Sequence, residues 1–351
     1  MKGKPLIIIT GAIIGAISLA LVYLGNPANM GFCIACFLRD TAGGLGLHRA
    51  EVVQYVRPEI IGLVLGAFIM AFISKEFSPK GGSSPVTRFI LGFCVMVGAL
   101  VFLGCPLRMM LRIAGGDLNA IVGLAGFVVG IIVGILCLNK GFTLKRSYNL
   151  SKTEGLAFPI INVVMLILLV AFPMLLLFSK EGPGSMHAPI TVALVAGLVV
   201  GAIAQKSRFC TVAGIRDAIM FKDFYMLIGF VTLIIVVALG NMALDNFHLG
   251  FEGQPIAHTD GLWNFTSMLL TGFGVVLLGG CPLRQLILTG EGNADSVITV
   301  FGLTAGAAFC HNFKLASSPE GTSPFGPWAV VICLVVVAII AIVNIRKPST
   351  N

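Results

Sequence analysis

About ten apolar runs, each close to the length that crosses a bilayer, leave this chain little choice of architecture. They lie near residues 5–24, 58–74, 88–104, 118–138, 156–178, 188–204, 224–244, 265–280, 296–311 and 326–345. A run of roughly 17–25 apolar residues spans the hydrocarbon core as a helix. Lipid offers no partner to a free backbone N–H or C=O, so these runs must be helical. Of the 351 residues, 57% are hydrophobic and 11% are charged, whereas a soluble protein carries roughly 25% charged residues. The expected fold class is an all-α polytopic membrane protein, one integral-membrane domain of about ten helices surrounded by lipid bilayer. Gly11 with Gly15, and Gly197 with Gly201, are small residues four apart, a spacing that predicts close helix packing.

The chain is also duplicated. Gly104–Arg108 and Gly280–Arg284 both read Gly-Cys-Pro-Leu-Arg, and Phe32-Cys33 with Arg39-Asp40 recurs as Phe209-Cys210 with Arg216-Asp217. The offsets, 176 and 177 residues, agree. Two related halves are expected, 1–178 and 179–351. Five spans per half is an odd number, so the halves run in opposite directions, as in the inverted repeats of many transporters. If one run does not cross, the halves become parallel or the termini separate.

Charge sets the orientation. Lys75, Lys80 and Arg88 mark one loop, and Lys140, Lys145, Arg146 and Lys152 another; Lys206, Lys222 and the Arg346-Lys347 tail complete the set. The stretch from Asp245 to Asn264 holds acids and histidines but no Lys or Arg. Ten spans with both termini cytoplasmic satisfy this pattern, with Lys180 and Lys314 as exceptions. The implied location is the cytoplasmic (inner) membrane. The net charge of +8 fits this loop bias, or else an anionic substrate. Met1-Lys2-Gly3-Lys4 before an apolar run resembles a signal peptide. No small-x-small cleavage site follows near Leu24, and the run has a counterpart before Cys210, so it is expected to be retained.

Nine cysteines do not make a secreted disulfide framework here. Cys94, Cys137, Cys310 and Cys333 lie within apolar runs and read as small buried hydrophobes. Cys33, Cys36, Cys105, Cys210 and Cys281 instead sit at breaks in the apolar pattern. The stretches from Asn26 to Leu47 and from Gln205 to Phe221 are too polar for simple spans. They read as re-entrant segments lining a cavity, or as apolar extramembrane loops. Pro suits the first position of a helix, which makes Cys105 and Cys281 expected N-caps, beside unpaired N–H groups and the positive end of a helix dipole. With Arg108 and Arg284 in the first turn, each string can form an anion site, or a tight packing turn. The pairs Arg39-Asp40 and Arg216-Asp217 read as contacts across the pseudo-symmetry axis or as substrate contacts.

Thiols strung along one path, Cys33, Cys105, Cys210 and Cys281, suit a soft, polarisable solute containing sulfur or selenium. A neutral S–H donates weakly and can hand an anion onward, whereas conduction fails if binding is too tight for release. No catalytic group, cofactor, metal or nucleic acid is called for. No Gly-x-x-x-x-Gly-Lys-Ser/Thr string occurs. His48, His187, His248, His258 and His311 form no ligand-spaced cluster for the soft metals that thiols favour.

The duplicated Gly-Cys-Pro-Leu-Arg and the paired Phe-Cys…Arg-Asp segments resemble the YeeE/YedE family over nearly the whole chain. Gly25-Asn-Pro-Ala-Asn-Met-Gly-Phe-Cys-Ile-Ala-Cys resembles a narrower branch, assigned to selenium transport because it accompanies selenium metabolism. The resemblance implies a compact bundle with short loop-helices near its middle, uptake of sulfur compounds, notably thiosulfate, and a cysteine relay at Cys33, Cys105 and Cys281, with Cys210 as repeat mate of Cys33. Cys36 has no counterpart, since Ala213 takes its place. Two other functions stay open. Cys33-Ile-Ala-Cys36 has the Cys-x-x-Cys spacing of a thiol–disulfide redox enzyme, though without a βαβ context. A subunit that delivers sulfur or selenium to a cytosolic carrier protein would carry a persulfide-like adduct on Cys210 or Cys281.

Overall fold

A computed structural model describes residues 4–345; Met1–Gly3 and the Arg346-Lys347 tail lie outside the described residues. It contains fourteen α-helices and one ribbon of two two-residue strands, β1 (Lys80–Gly81) and β2 (Tyr148–Asn149). Seven helices come first: α1 (Lys4–Tyr23), α2 (Ile34–Gly44), α3 (Pro58–Ile73), α4 (Pro85–Val101), α5 (Pro106–Ala114), α6 (Leu118–Asn139) and α7 (Lys152–Ala171). Seven more follow in the same order of long and short: α8 (Ile190–Ser207), α9 (Thr211–Phe221), α10 (Tyr225–Ala243), α11 (Gly261–Leu278), α12 (Pro282–Gly290), α13 (Ala294–Asn312) and α14 (Gly326–Val343). Ten segments are long and apolar enough to cross a membrane. The chain is thus an all-α, multi-pass membrane protein.

Burial is distributed as a bilayer requires. The outward faces of α7, α10 and α14 carry exposed Val164, Ile167, Val231, Ile235, Leu239, Val335, Ile339 and Ile342, a dressing that only lipid solvates cheaply. The polar and charged side chains Arg57, Glu59, Arg108, Arg112 and Asp117 are instead fully buried inside the bundle. At the centre stand α4 and α11; every residue from Val95 to Val101 and from Leu270 to Leu278 is buried. Both central helices lead straight into a Gly-Cys-Pro-Leu-Arg string.

Glycine sets the tightest contacts. On α3, a Cβ at Gly62 would lie 2.3 Å from the Leu194 carbonyl oxygen and one at Gly66 2.1 Å from that of Leu198; on α8, one at Gly197 would lie 2.4 Å from the Glu59 carbonyl oxygen and one at Gly201 2.1 Å from that of Leu63. Two backbones touch here because neither has a side chain at the crossing. A Cβ at Gly11 of α1 would likewise lie 2.1 Å from the Gly229 carbonyl oxygen of α10. Gly201→Ala must push α3 and α8 apart and is expected to cost about 1–3 kcal/mol. Thermal unfolding in detergent, beside Val199→Ala on the half-exposed face of α8, measures it.

The basic loops gather at one end of the bundle. β1 pairs with β2, Lys80 bridges to Asn293, and Phe142 bridges to Ile345. The opposite end ties Asp117 to Gly250, Arg57 to the carbonyls of Pro183 and Met186, and the Arg49 amide to Asn312. Of the four cysteines expected to act as apolar filler, Cys94, Cys310 and Cys333 are buried, but Cys137 is only partly so.

Candidate functional site

All four duplicated cysteines cap short helices. Cys105 and Cys281 are the N-caps of α5 and α12, each followed by Pro at the first helical position, as the sequence pattern predicts. Cys33 and Cys210 cap α2 and α9, which the sequence did not signal because no Pro follows them. Every sulfur therefore sits at a helix N-terminus, where the first-turn amides have no helical acceptor and the dipole is positive. The sulfurs of Cys105, Cys210 and Cys281 close no cap hydrogen bond; that of Cys33 accepts from the Cys36 amide at 3.3 Å.

The caps meet in pairs. The sulfurs of Cys33 and Cys105 are 3.9 Å apart, and those of Cys210 and Cys281 are 3.8 Å apart. All four residues are at most 5% exposed. The first pair enters from the end opposite the basic loops and the second from the basic end. Helix α2 touches α12 and α5 touches α9, so the four short helices face one another inside the bundle. The burial is unequal: α2 is buried throughout, whereas α9 buries only Thr211, Val212 and Gly214.

The two arginines of the repeated string have different fates. Arg108 is fully buried and has no carboxylate partner among the described residues. Its Nε donates to the Asn29 carbonyl at 3.1 Å and its Nη2 to that of Ile256 at 3.1 Å; its Nη1 donates to the Leu103 carbonyl and points at the Cys36 sulfur from 3.5 Å. Four neutral groups hold a cation beside the first cysteine pair. Arg284 is neutralised instead, by Glu291 at 3.0 Å, and Glu291 also binds Arg208 at 3.2 Å. Arg208 reaches on to Glu76 at 3.0 Å. The Gln205 amide, with Arg208 beside it, holds the Glu76 carboxyl below the usual carboxylate range. The position matching Glu291 in the first half is Gly115, so the local sequence does carry the signal for this divergence.

The Arg-Asp pairs do not meet across the bundle, which corrects one expectation. Arg39 binds Asp40 at 2.6 Å, and Arg216 binds Asp217 at 2.8 Å. Adjacent residues on one helix are already within reach, so neither pair needs a distant partner. Asp40 takes a second cation, Arg57, at 2.7 Å, and Arg57 also lies over the rings of Phe37 and Tyr55. Arg57 thereby locks α2 against the start of α3. Arg216 and Asp217 are about a quarter exposed, and among the described residues their side chains make no other ion pair.

Cys36, the cysteine without a repeat mate, lies with its sulfur 2.8 Å from that of Cys33. Among the described residues no group of three or more His, Cys, Asp or Glu side chains could hold a metal ion.

These features define a multi-pass membrane protein whose interior presents thiols and helix N-termini. Comparison with known proteins gives that class a direction. Residues 206–350 match the family described as sulphur transport, a stretch holding Cys210, Cys281 and helices α9 to α14. The thiosulfate transporter TsuA of Escherichia coli (strain K12) is 28% identical over 120 residues, covering 33% of this chain and 32% of that protein. The chain thus aligns with about a third of the length of this curated relative.

Proposed function

We propose that this protein is a permease of the sulphur-transport family that takes up a small sulfur or selenium anion, thiosulfate foremost, past its two cysteine pairs. The observation that carries the reading is the pairing of cap thiols at 3.9 Å and 3.8 Å, with the uncompensated Arg108 beside the first pair only. A buried cation without a counter-ion attracts an anion, and first-turn amides and S–H groups supply weak donors along its path. At the second pair Glu291 cancels Arg284, so the anion meets less attraction where it must leave. Entry and exit both stay possible.

On this reading the halves 1–178 and 179–351 form inverted repeats, supported by the repeated helix order and five candidate spans in each. The basic end, to which Lys4 and Ile345 belong, faces the cytoplasm of the inner membrane, supported by the gathering of Lys and Arg loops there. Uptake of labelled thiosulfate and labelled selenite, measured side by side in cells lacking other routes, tests the function and separates the two solutes. Uptake of neither by well-expressed protein rejects it.

A second reading rests on one contact, the 2.8 Å between the sulfurs of Cys33 and Cys36. Thiols this close suit a dithiol that cycles to a disulfide, as a membrane redox enzyme requires. Cys36→Ala separates the two. A permease that uses Cys33 keeps uptake within about twofold, a factor worth about 0.4 kcal/mol. A redox enzyme loses all activity. Transport assays of the variant decide.

A further inference from the structure

Glu59 is a buried acid near the first cysteine pair that the site described above does not use. It stands in the first turn of α3 and is fully buried. No Lys, Arg or His lies within salt-bridge distance of it among the described residues, and its Oε2 has no hydrogen-bond partner. Its Oε1 accepts one bond, from Asn26 Nδ2 at 3.0 Å. Asn26 is a clamp: the same Nδ2 donates to the Gly31 carbonyl at 3.2 Å, and its Oδ1 accepts from the Ala188 amide at 2.9 Å. Gly31 lies two residues before Cys33. One amide thus fastens the loop that carries Cys33 to α3 and to the strand of chain entering α8, and the anchor on α3 is Glu59.

We propose that Glu59 is a proton-binding site, and that its protonation sets how firmly Asn26 holds the Cys33 loop. A buried carboxylate facing no cation is costly, whereas the helix N-terminus beneath it favours the charge. On uptake, Oε2 forms an O–H bond with a proton from water; on release the proton returns to water, and no electrons move. The charged carboxylate makes a charge-assisted bond to Asn26, roughly twice as strong as the neutral acid can make. Protonation therefore loosens the clamp.

The surrounding charges do not replace this role. From α2 and the α2–α3 connection come Arg39, Asp40 and Arg57, already tied to one another, with the thiols of Cys33 and Cys36. The Tyr55 phenol and His187, stacked at 4.1 Å, lie nearby. Helix α8 brings Gly197 against the Glu59 backbone carbonyl, its Lys206 lying at the far end; α12 contributes Arg284, held by Glu291; Lys152 and Glu154 sit at the start of α7.

Infrared difference spectroscopy of the reconstituted protein, with the bath stepped in pH, reads the site without any need for transport. The expected result is a protonated-carboxyl C=O band in the wild type that Glu59→Gln removes. Identical spectra overturn the proposal, and so does a band that follows sodium at constant pH. If Glu59→Gln does not fold, Glu59→Asp must shift the band, and an unshifted band overturns it. The second arm rests on the thiosulfate reading. Wild-type uptake should rise as external pH falls, and Glu59→Gln, fixed in the neutral form, should lose that dependence. A Glu59→Gln profile parallel to wild type overturns the clamp. A band lost in Glu59→Gln, with no thiosulfate uptake by wild type, supports the proton site while rejecting the transport reading.

Discussion

Cys105→Ala is expected to abolish thiosulfate uptake while leaving the protein folded. The substitution keeps the backbone and Cβ, and the Cys105 sulfur closes no cap hydrogen bond whose loss would unwind α5. Pro106 still starts the helix. Removing one buried sulfur costs about 1 kcal/mol of packing, which a bundle of this size withstands. What disappears is the thiol 3.9 Å from Cys33, next to the first turn that carries Arg108. Cys105→Ser sharpens the test. Serine is a good N-cap and a stronger hydrogen-bond donor, but it lacks a polarisable sulfur. Loss of uptake in both variants assigns the role to sulfur itself. Rescue by serine reduces it to hydrogen bonding, and normal uptake by both removes Cys105 from the path. Size-exclusion profiles of the purified variants control for folding.

Asp117→Asn is expected to destabilise the protein by about 3–5 kcal/mol, the cost of leaving a buried charge without its partner. Arg112 and Asp117 are both fully buried, with Nε 2.6 Å from Oδ2. Arg112 also donates to the Phe102 carbonyl at 2.8 Å and lies over the Phe102 ring at 4.3 Å. Asn keeps the shape and, through Oδ1, the capping role that Asp117 plays for α6 at the Asn119 amide, while its Nδ2 replaces the oxygen that accepts from Arg112, so the variant removes the charge and that hydrogen bond together. The pair joins the last turn of α5 to the N-cap of α6 and so holds the helix that presents Cys105 and Arg108. Adding Arg112→Met should recover much of the loss, because removing both partners discards the desolvation cost along with the attraction. Thermal unfolding of the two variants in detergent measures both effects. Equal stability of Asp117→Asn and wild type would mean that water or another group compensates Arg112.

Much of this was legible in the residues. Hydropathy places ten spans because lipid permits only self-satisfied helices, and ten helical segments of that kind stand in those places among the described residues. Cys-Pro announces a cap because Pro fits only at the start of a helix, and Cys105 and Cys281 are caps. The site was less legible. Cys33 and Cys210 also cap helices, but without Pro the local code is silent. The reach of Arg57 to Asp40 depends on how the chain folds back between α2 and α3. Glu59 carries no local signal, since only packing shows whether a carboxylate finds a cation.

The sequence by itself determined the membrane class, the order of helices and which positions cap two of the short ones, because each follows from local chemistry: hydrocarbon solvation, backbone hydrogen bonding and the geometry of proline. Only the tertiary structure decided that Cys33 meets Cys105 and Cys210 meets Cys281, across 72 and 71 residues of chain. It also showed that the buried Arg108 finds only neutral partners, among them the carbonyls of Asn29 and Ile256, 79 and 148 residues away. Charge compensation and sulfur contact act over a few ångströms in space, and distance along the chain does not report them.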